Sequence, residues 1–231
     1  MSVAENFQKI RSGIPSHVKI VAAAKTRTTG EVEELIKAGI TDIGENYVQE
    51  AEEIIKSLKP ELIEKVNWHL IGHLQKNKIN KALPIFNLIQ SVDSLDLARE
   101  INKRVQKAGK EYISILLEIN IGSEFSKHGI QPDKSNNIDF EEYIEKLARE
   151  ISLLPGIRME GLMTMGPQFD DPEKLRPFFK KTKKIFTRLA TLNLERLNMK
   201  YLSMGMSNSY KVAIEEGANM VRIGTAIFGP R

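Results

Sequence analysis

Eight short, apolar, β-rich runs alternate with segments of helical periodicity, and this alternation limits the fold more than any other feature of the chain. The runs lie at residues 18–24, 41–44, 67–72, 86–92, 112–121, 157–165, 201–206 and 219–224. Between them, apolar residues recur at the i, i+3, i+4, i+7 spacing of an amphipathic helix, most clearly over 140–151. Runs that are apolar throughout are typical of parallel strands covered on both faces.

This order predicts an α/β fold of βα units joined by right-handed crossovers. A closed parallel (β/α)8 barrel and a doubly wound open sheet both satisfy it, and periodicity does not separate them. A chain of 231 residues suits one barrel, and no proline- or serine-rich linker interrupts the pattern. We therefore predict one domain over residues 1–231. Gly39, Gly109 and Gly217 are expected to end helices in the left-handed conformation.

Composition removes several classes of function. The chain has no cysteine, which excludes disulfides, thiolate metal sites, iron–sulfur clusters and cysteine nucleophiles. The first residues lack the apolar core of a signal peptide, and no stretch approaches 18 apolar residues, so we expect a soluble cytoplasmic protein without membrane contact. The net charge is only +4, and the densest basic run, 180–184, accompanies an apolar stripe. We interpret that run as the solvated face of a helix and predict no nucleic-acid binding.

The junctions after the seventh and eighth runs indicate a phosphate site. Barrels of this kind place their active face at the C-terminal ends of the strands and commonly bind phosphate after strands seven and eight. After the seventh run, Gly205 is expected to let the backbone approach a ligand, and Ser207 or Asn208 to cap the next helix. After the eighth, Gly224 removes a side chain and Thr225 offers a hydroxyl and an N–H.

Lys25 ends the first run and shares one face of it with Val21 and Ala23. A lysine at the end of an apolar strand is either a solubilising terminus or an amine at the barrel mouth that attacks an aldehyde. The residues alone leave both interpretations open.

Arg222 lies within the apolar eighth run, on the same face as Gly224. A buried guanidinium costs several kcal/mol unless it is paired or hydrogen bonded. Arg222 is therefore either a structural partner of a carboxylate such as Glu118 or part of a ligand site.

Asn46 and two histidines complete the candidates. Asn46 follows the second run and is either a ligand donor or a cap for the next helix. His69 and His73 have the four-residue spacing that suits zinc on a helix, but they fall on a predicted strand and its loop. We therefore predict no metal site for this pair.

Seven motifs in chain order carry a resemblance to a known family. They are VAAAKT (21–26), GENYVQE (44–50), WHLIGHLQKNK (68–78), SVDSLDLA (91–98), EGLMTM (160–165), SMGMS (203–207) and VRIGTAIFG (221–229). Together they resemble the pyridoxal phosphate homeostasis proteins, whose bacterial members are the YggS-type proteins, and the resemblance covers essentially the whole chain.

The resemblance implies an alanine-racemase-like TIM barrel with a short N-terminal helix and no C-terminal β-domain. It also implies pyridoxal 5′-phosphate (PLP) as cofactor, bound as a Schiff base on Lys25, with Arg222 against the pyridine nitrogen. Ser207, Gly224 and Thr225 are expected around the phosphate, with Asn46 and the Met206 backbone beside the cofactor.

The function implied is intracellular PLP homeostasis, as a carrier or buffer of the cofactor. The alternative is a slow, racemase-like enzyme that uses the same lysine. Racemisation needs a second base on the opposite ring face, which the racemases complete with their C-terminal domain, so we favour the carrier. PLP-dependent apo-enzymes are expected partners, and a monomer is the expected state.

Overall fold

The eight predicted strands close into a parallel barrel. The structure is a computed structural model that describes residues 2–122, 128–131 and 139–230. The strands are β1 (Lys19–Ala23), β2 (Asp42–Glu45), β3 (Asn67–Leu70), β4 (Leu88–Val92), β5 (Ile113–Glu118), β6 (Ile157–Met163), β7 (Leu197–Ser203) and β8 (Met220–Ile223). Each strand pairs with the next, and β1 pairs with β8, Val21 opposite Arg222. The barrel prediction is confirmed, and the open-sheet alternative is wrong.

Helices follow the strands and cover the outside of the barrel. They are α1 (Val3–Ser12), α2 (Thr29–Lys37), α3 (Val48–Ser57), α4 (Pro60–Ile63), α5 (Ile79–Ala82), α6 (Leu95–Lys107), α7 (Phe140–Ser152), α8 (Arg176–Ala190), α9 (Tyr210–Glu215) and α10 (Thr225–Phe228). Helix α1 is the predicted N-terminal helix; it begins at a capping box formed by Ser2 and Glu5. It is joined to α10 by a hydrogen bond of 2.9 Å from Asn6 Nδ2 to the Ile227 carbonyl.

Helix ends and faces follow the sequence closely. Gly39, Gly109 and Gly217 have φ of 96°, 65° and 89°, the left-handed conformation expected after a helix. In α8, Phe179 and Ile185 are buried while the lysines at 180, 181 and 184 are exposed, as an amphipathic helix requires. None of the helices in the described ranges combines the length and apolar character that a membrane span needs.

The barrel interior has an apolar part and a polar part. In the apolar part, six buried side chains pack against one another: Val21, Ile71, Leu88, Leu116, Met163 and Met220. A larger apolar layer lies between the strands and the helices. Buried polar side chains occur on six strands, β2, β3, β4, β5, β7 and β8, and they lead to the candidate site.

Candidate functional site

A cavity of about 480 Å³ lies at the C-terminal ends of the strands. All seven residues singled out from the sequence line it: Lys25, Asn46, Met206, Ser207, Arg222, Gly224 and Thr225. Seven further wall residues were not predicted to contact the cofactor: Ala23, Ile71, Met165, Pro167, Gln168, Leu175 and Asn208. Most of these are apolar or lie on the loop after β6, where sequence alone gives no signal for a cavity wall.

Lys25 follows β1 in a constrained backbone. Its Nζ lies 5.2 Å from the centre of the Tyr47 ring. The next residue, Thr26, has φ of 63°, which is uncommon for a β-branched residue and costs about 1–3 kcal/mol. The Thr26 N–H donates to Glu50 Oε2 at 2.9 Å. This hydrogen bond from α3 holds the turn that presents the lysine.

Arg222 is buried and hydrogen bonded on two nitrogens. Nη1 donates to Ser203 Oγ at 2.7 Å, and Nη2 donates to the Thr164 carbonyl at 2.8 Å. Burial lowers the pKa of Arg222 to about 10, against the opposing charge of Glu118. Burial, with the charge of Asp93, raises the pKa of Glu118 to about 7, and Arg222 opposes that shift. Glu118 therefore acts on Arg222 through its charge, while Ser203 and Thr164 accept the hydrogen bonds.

The Ser203 hydroxyl is the first link of a buried relay that crosses the barrel. Ser203 donates to Gln90 Oε1 at 2.7 Å, and Gln90 Nε2 lies 2.9 Å from His69 Nδ1. His69 Nε2 lies 2.9 Å from Asp42 Oδ1. Arg222 can only donate hydrogen bonds, and an ionised Asp42 can only accept them. Each group between them therefore accepts a hydrogen bond from the Arg222 side and donates one toward Asp42. We refer to Arg222, Ser203, Gln90, His69 and Asp42 as the relay.

Asp42 is a stable anionic end for the relay. Burial raises the pKa of Asp42, but hydrogen bonds from His69 and Thr41 and the charge of Lys19 outweigh burial and hold the pKa well below its usual range. Lys19 Nζ lies 3.1 Å from Asp42 Oδ2 at the opposite end of the barrel from the cavity. The relay thus joins a cation at the cavity to a carboxylate near the barrel floor.

The loops after β7 and β8 meet at the Ser207 hydroxyl, which accepts the N–H groups of Gly224 (3.2 Å) and Ala226 (3.3 Å). This contact ties the two predicted phosphate-binding junctions together. One detail of the prediction is wrong. Neither Ser207 nor Asn208 caps α9, because Ser209 precedes that helix and its side chain makes no capping bond.

Gly205 has a structural role that the sequence did not indicate. Gly205 has φ of +92°, and a Cβ there would lie 2.5 Å from the Cβ of Ala213. Glycine is needed because α9 packs against the backbone at this point. The expected approach of this backbone to a ligand stays a prediction.

Asn46 lines the cavity, and its backbone is in close contact with Gly72. A Cβ at Gly72 would lie 2.3 Å from the Asn46 carbonyl oxygen, so the loop after β3 packs directly on the end of β2. The capping alternative for Asn46 is not observed, since Tyr47 precedes α3 and makes no side-chain cap. His69 and His73 are also separated: His69 belongs to the relay, and His73 lines a neighbouring cavity of about 360 Å³ that Asn46 shares.

Known proteins resemble this chain over its whole length. The sequence profile of the family described as alanine racemase, N-terminal domain, matches residues 1–231. A pyridoxal phosphate homeostasis protein from Aquifex aeolicus is 38% identical, with 99% of this chain and 95% of the relative covered. The Pseudomonas aeruginosa protein of the same name is 35% identical, with 100% and 96% covered.

The chain belongs to the pyridoxal phosphate homeostasis protein family. Among solved structures similar to this family member is PipY from Synechococcus elongatus without PLP, with a TM-score of 0.87 at 29% identity, 99% of this chain and 100% of that chain being covered. PipY with PLP bound has a TM-score of 0.83 at the same identity and coverage. An alanine racemase from Clostridium difficile has a TM-score of 0.76 at 18% identity, and this chain spans 57% of it. That last likeness concerns the fold alone.

Proposed function

We propose that this chain binds PLP in the cavity at the barrel mouth and acts in PLP homeostasis as a carrier or buffer of the cofactor. The observation that carries the proposal is the meeting, in one cavity, of a lysine amine, a buried guanidinium and the joined loops after β7 and β8. These groups match the three polar ends of PLP: an aldehyde, a pyridine nitrogen and a phosphate dianion. Family membership and the PLP-bound PipY structure support it.

Each residue has a distinct part in this proposal. Lys25 supplies the amine that holds the cofactor covalently, and the Thr26 turn keeps that amine at the mouth. Arg222 faces the ring nitrogen, while Ser207, Gly224 and Thr225 receive the phosphate. Asn46 and the Met206 backbone border the ring.

Arg222 favours a carrier over an enzyme. When bound, PLP supplies an electron-withdrawing ring that stabilises negative charge on an attached carbon. A guanidinium has no lone pair to accept a proton, so a ring nitrogen that accepts from Arg222 is unprotonated and withdraws electrons less strongly. The relay reinforces this state, because it holds Arg222 in place through Ser203.

The test combines absorption with chemical trapping. Untagged protein loaded with PLP should absorb visible light, and borohydride reduction should fix the cofactor to the peptide that contains Lys25. Lys25→Ala should lose both signals, whereas Lys78→Ala, in the neighbouring cavity, should retain them. Covalent label on another lysine, or full absorption by Lys25→Ala, would contradict the assignment.

A turnover assay separates the carrier from its alternative. We expect no sustained racemisation of alanine or other amino acids by the loaded protein; multiple turnovers that disappear in Lys25→Ala would favour the slow racemase-like enzyme. Delivery to PLP-dependent apo-enzymes, a monomeric state and a cytoplasmic location stay predictions of this proposal.

A further inference from the structure

Three side chains from three neighbouring loops meet beside the cofactor cavity. His73 follows β3, Asp93 comes directly after β4, and His128 lies in the described segment beyond β5. One donor atom from each residue lies within 4.8 Å of the other two. The spacing along the sequence gave no indication of this grouping, because the three residues come together only when consecutive strands pair in the barrel.

We propose that His73, Asp93 and His128 form a binding site for a divalent cation of the zinc type at the barrel mouth. Two imidazoles and one carboxylate are a donor set that zinc and similar borderline metals accept, with remaining positions left for water or a ligand. The proposal is independent of PLP binding.

Two of the donors already have a suitable separation. His73 Nδ1 lies 3.3 Å from Asp93 Oδ2. Metal–ligand bonds of about 2.1 Å in a tetrahedral shell place neighbouring donors about 3.4 Å apart. The His128 ring stacks on His73 with a centroid distance of 4.1 Å and an interplanar angle of 11°. His128 therefore has to turn out of this stack and move by about 1–2 Å to complete the shell.

The charges and access also suit a cation. Among the described residues, His73 is the only ionisable group with an ion-pair contact to Asp93. The side chain of His73 is 36% exposed and that of Asp93 is 17% exposed, so a hydrated ion can reach donors that are partly shielded from water.

The position links the site to the cofactor cavity. His73 and His128 line the smaller cavity together with Asn46, which also lines the larger one. The residue before His73 is Gly72, whose backbone packs against Asn46. A cation bound here would thus fix a loop that contacts one wall of the cofactor cavity.

Zinc titration of the untagged, cofactor-free chain tests the proposal. We expect one zinc ion per chain by calorimetry, and visible bands of a low-coordinate complex when cobalt(II) is the probe. His73→Gln and His128→Gln should each weaken zinc binding at least tenfold. His17→Gln is the matched control, because His17 is an exposed histidine near the start of the chain.

Equal binding by wild type and the His73 and His128 variants would overturn the proposal, and so would loss of binding only in His17→Gln. Since His73 and His128 are surface residues at the mouth, thermal melting without metal should show both variants folded. In wild type, zinc should raise the melting temperature, and this rise should vanish in His128→Gln. PLP absorption measured on the same variants reports the cofactor proposal separately, so either can fail alone.

Discussion

The Ser203 hydroxyl accepts a 2.7 Å hydrogen bond from Arg222 Nη1 inside the barrel. Because the same hydroxyl donates to Gln90, it fixes the orientation of the guanidinium and passes the relay on to His69 and Asp42. A charged side chain is thereby held in the barrel interior without a direct ion pair to Glu118, the carboxylate whose charge acts on it.

Ser203→Ala is expected to break the relay at its first link. The Arg222 donor would lose its partner, so the free energy of unfolding should fall by about 1–3 kcal/mol. PLP affinity should also fall severalfold, because the guanidinium is no longer held. Urea denaturation and cofactor titration measure the two effects. Thr182→Ala, which removes a buried hydroxyl in α8, should reduce stability and leave PLP affinity unchanged. If Ser203→Ala bound PLP with unchanged affinity, the relay would have no role in cofactor binding.

Ser207→Ala is expected to act through the phosphate of the cofactor. A hydrogen bond to a charged group is worth about 1.5–3 kcal/mol, so PLP affinity should fall about 10- to 100-fold. Pyridoxal, which lacks the phosphate, should bind the wild type far more weakly than PLP does. Its affinity for Ser207→Ala should equal its affinity for the wild type. Fluorescence titration of both vitamers against both proteins gives the comparison. A matching loss for pyridoxal would place the effect of Ser207 elsewhere, in the contact between the β7 and β8 loops.

Gly72→Ala is expected to disturb the cavity through the backbone of Asn46. The added methyl would lie 2.3 Å from the Asn46 carbonyl oxygen, so the two loops have to separate. We expect a loss of stability of about 1–3 kcal/mol and weaker PLP binding. Gly30→Ala is the control, since a Cβ in that turn of α2 meets nothing closer than 4.0 Å and should stabilise the helix. Normal cofactor affinity in folded Gly72→Ala would show that Asn46 is not a close neighbour of the ring.

The buried carboxyl of Glu45 predicts a pH dependence of stability. Burial, with the charge of Glu50, raises the pKa of Glu45 from 4.5 to about 8, and neither carboxyl oxygen has a side-chain partner among the described residues. Between these values the unfolded chain has released the proton that the folded chain keeps, so stability should fall as pH rises from about 5 to 8. The slope is at most about 1.4 kcal/mol per pH unit for one group.

Urea midpoints at pH 5.5, 6.5 and 7.5 measure this slope. Glu45→Gln should flatten it and leave the smaller part due to Glu118, whose pKa is raised to about 7. Asp42 contributes nothing in this window, because it is ionised in both states. Glu33→Gln should keep the wild-type slope, because the ion pair with Lys37 lowers the pKa of Glu33, so that this carboxyl is ionised in both states over this pH range. Stability that rises with pH in the wild type would contradict the assignment.

Local pattern was sufficient for most of the fold. Each apolar run became a strand, although β7 begins at Leu197, four residues before the predicted Tyr201. Residues 198–200 are exposed or half-buried there, so they lack the continuous apolar signal of the other strands. Closure was not readable from periodicity, because it depends on the pairing of β1 with β8.

The candidate site was also predicted only in part from the sequence. Lys25 and Arg222 could be predicted as site residues because each places a charge in an apolar run. The partners of Arg222, Ser203 and the Thr164 carbonyl, could not be predicted from the sequence. The next contact of the relay, between Ser203 and Gln90, joins positions 113 residues apart. The contact expected with Glu118 proved to be electrostatic and without a direct hydrogen bond, a difference that only side-chain geometry reveals.

The pairing of β1 with β8 also affects how the protein is made. Lys25 follows the first strand and Arg222 lies in the last, so the two groups become neighbours only after the seam between these strands has closed. We expect contacts between positions so far apart in sequence to form late, since they carry a large loop-closure entropy. A growing chain on the ribosome therefore has no closed cofactor cavity until β8 has emerged. Ligand binding then favours the closed seam over its opened form.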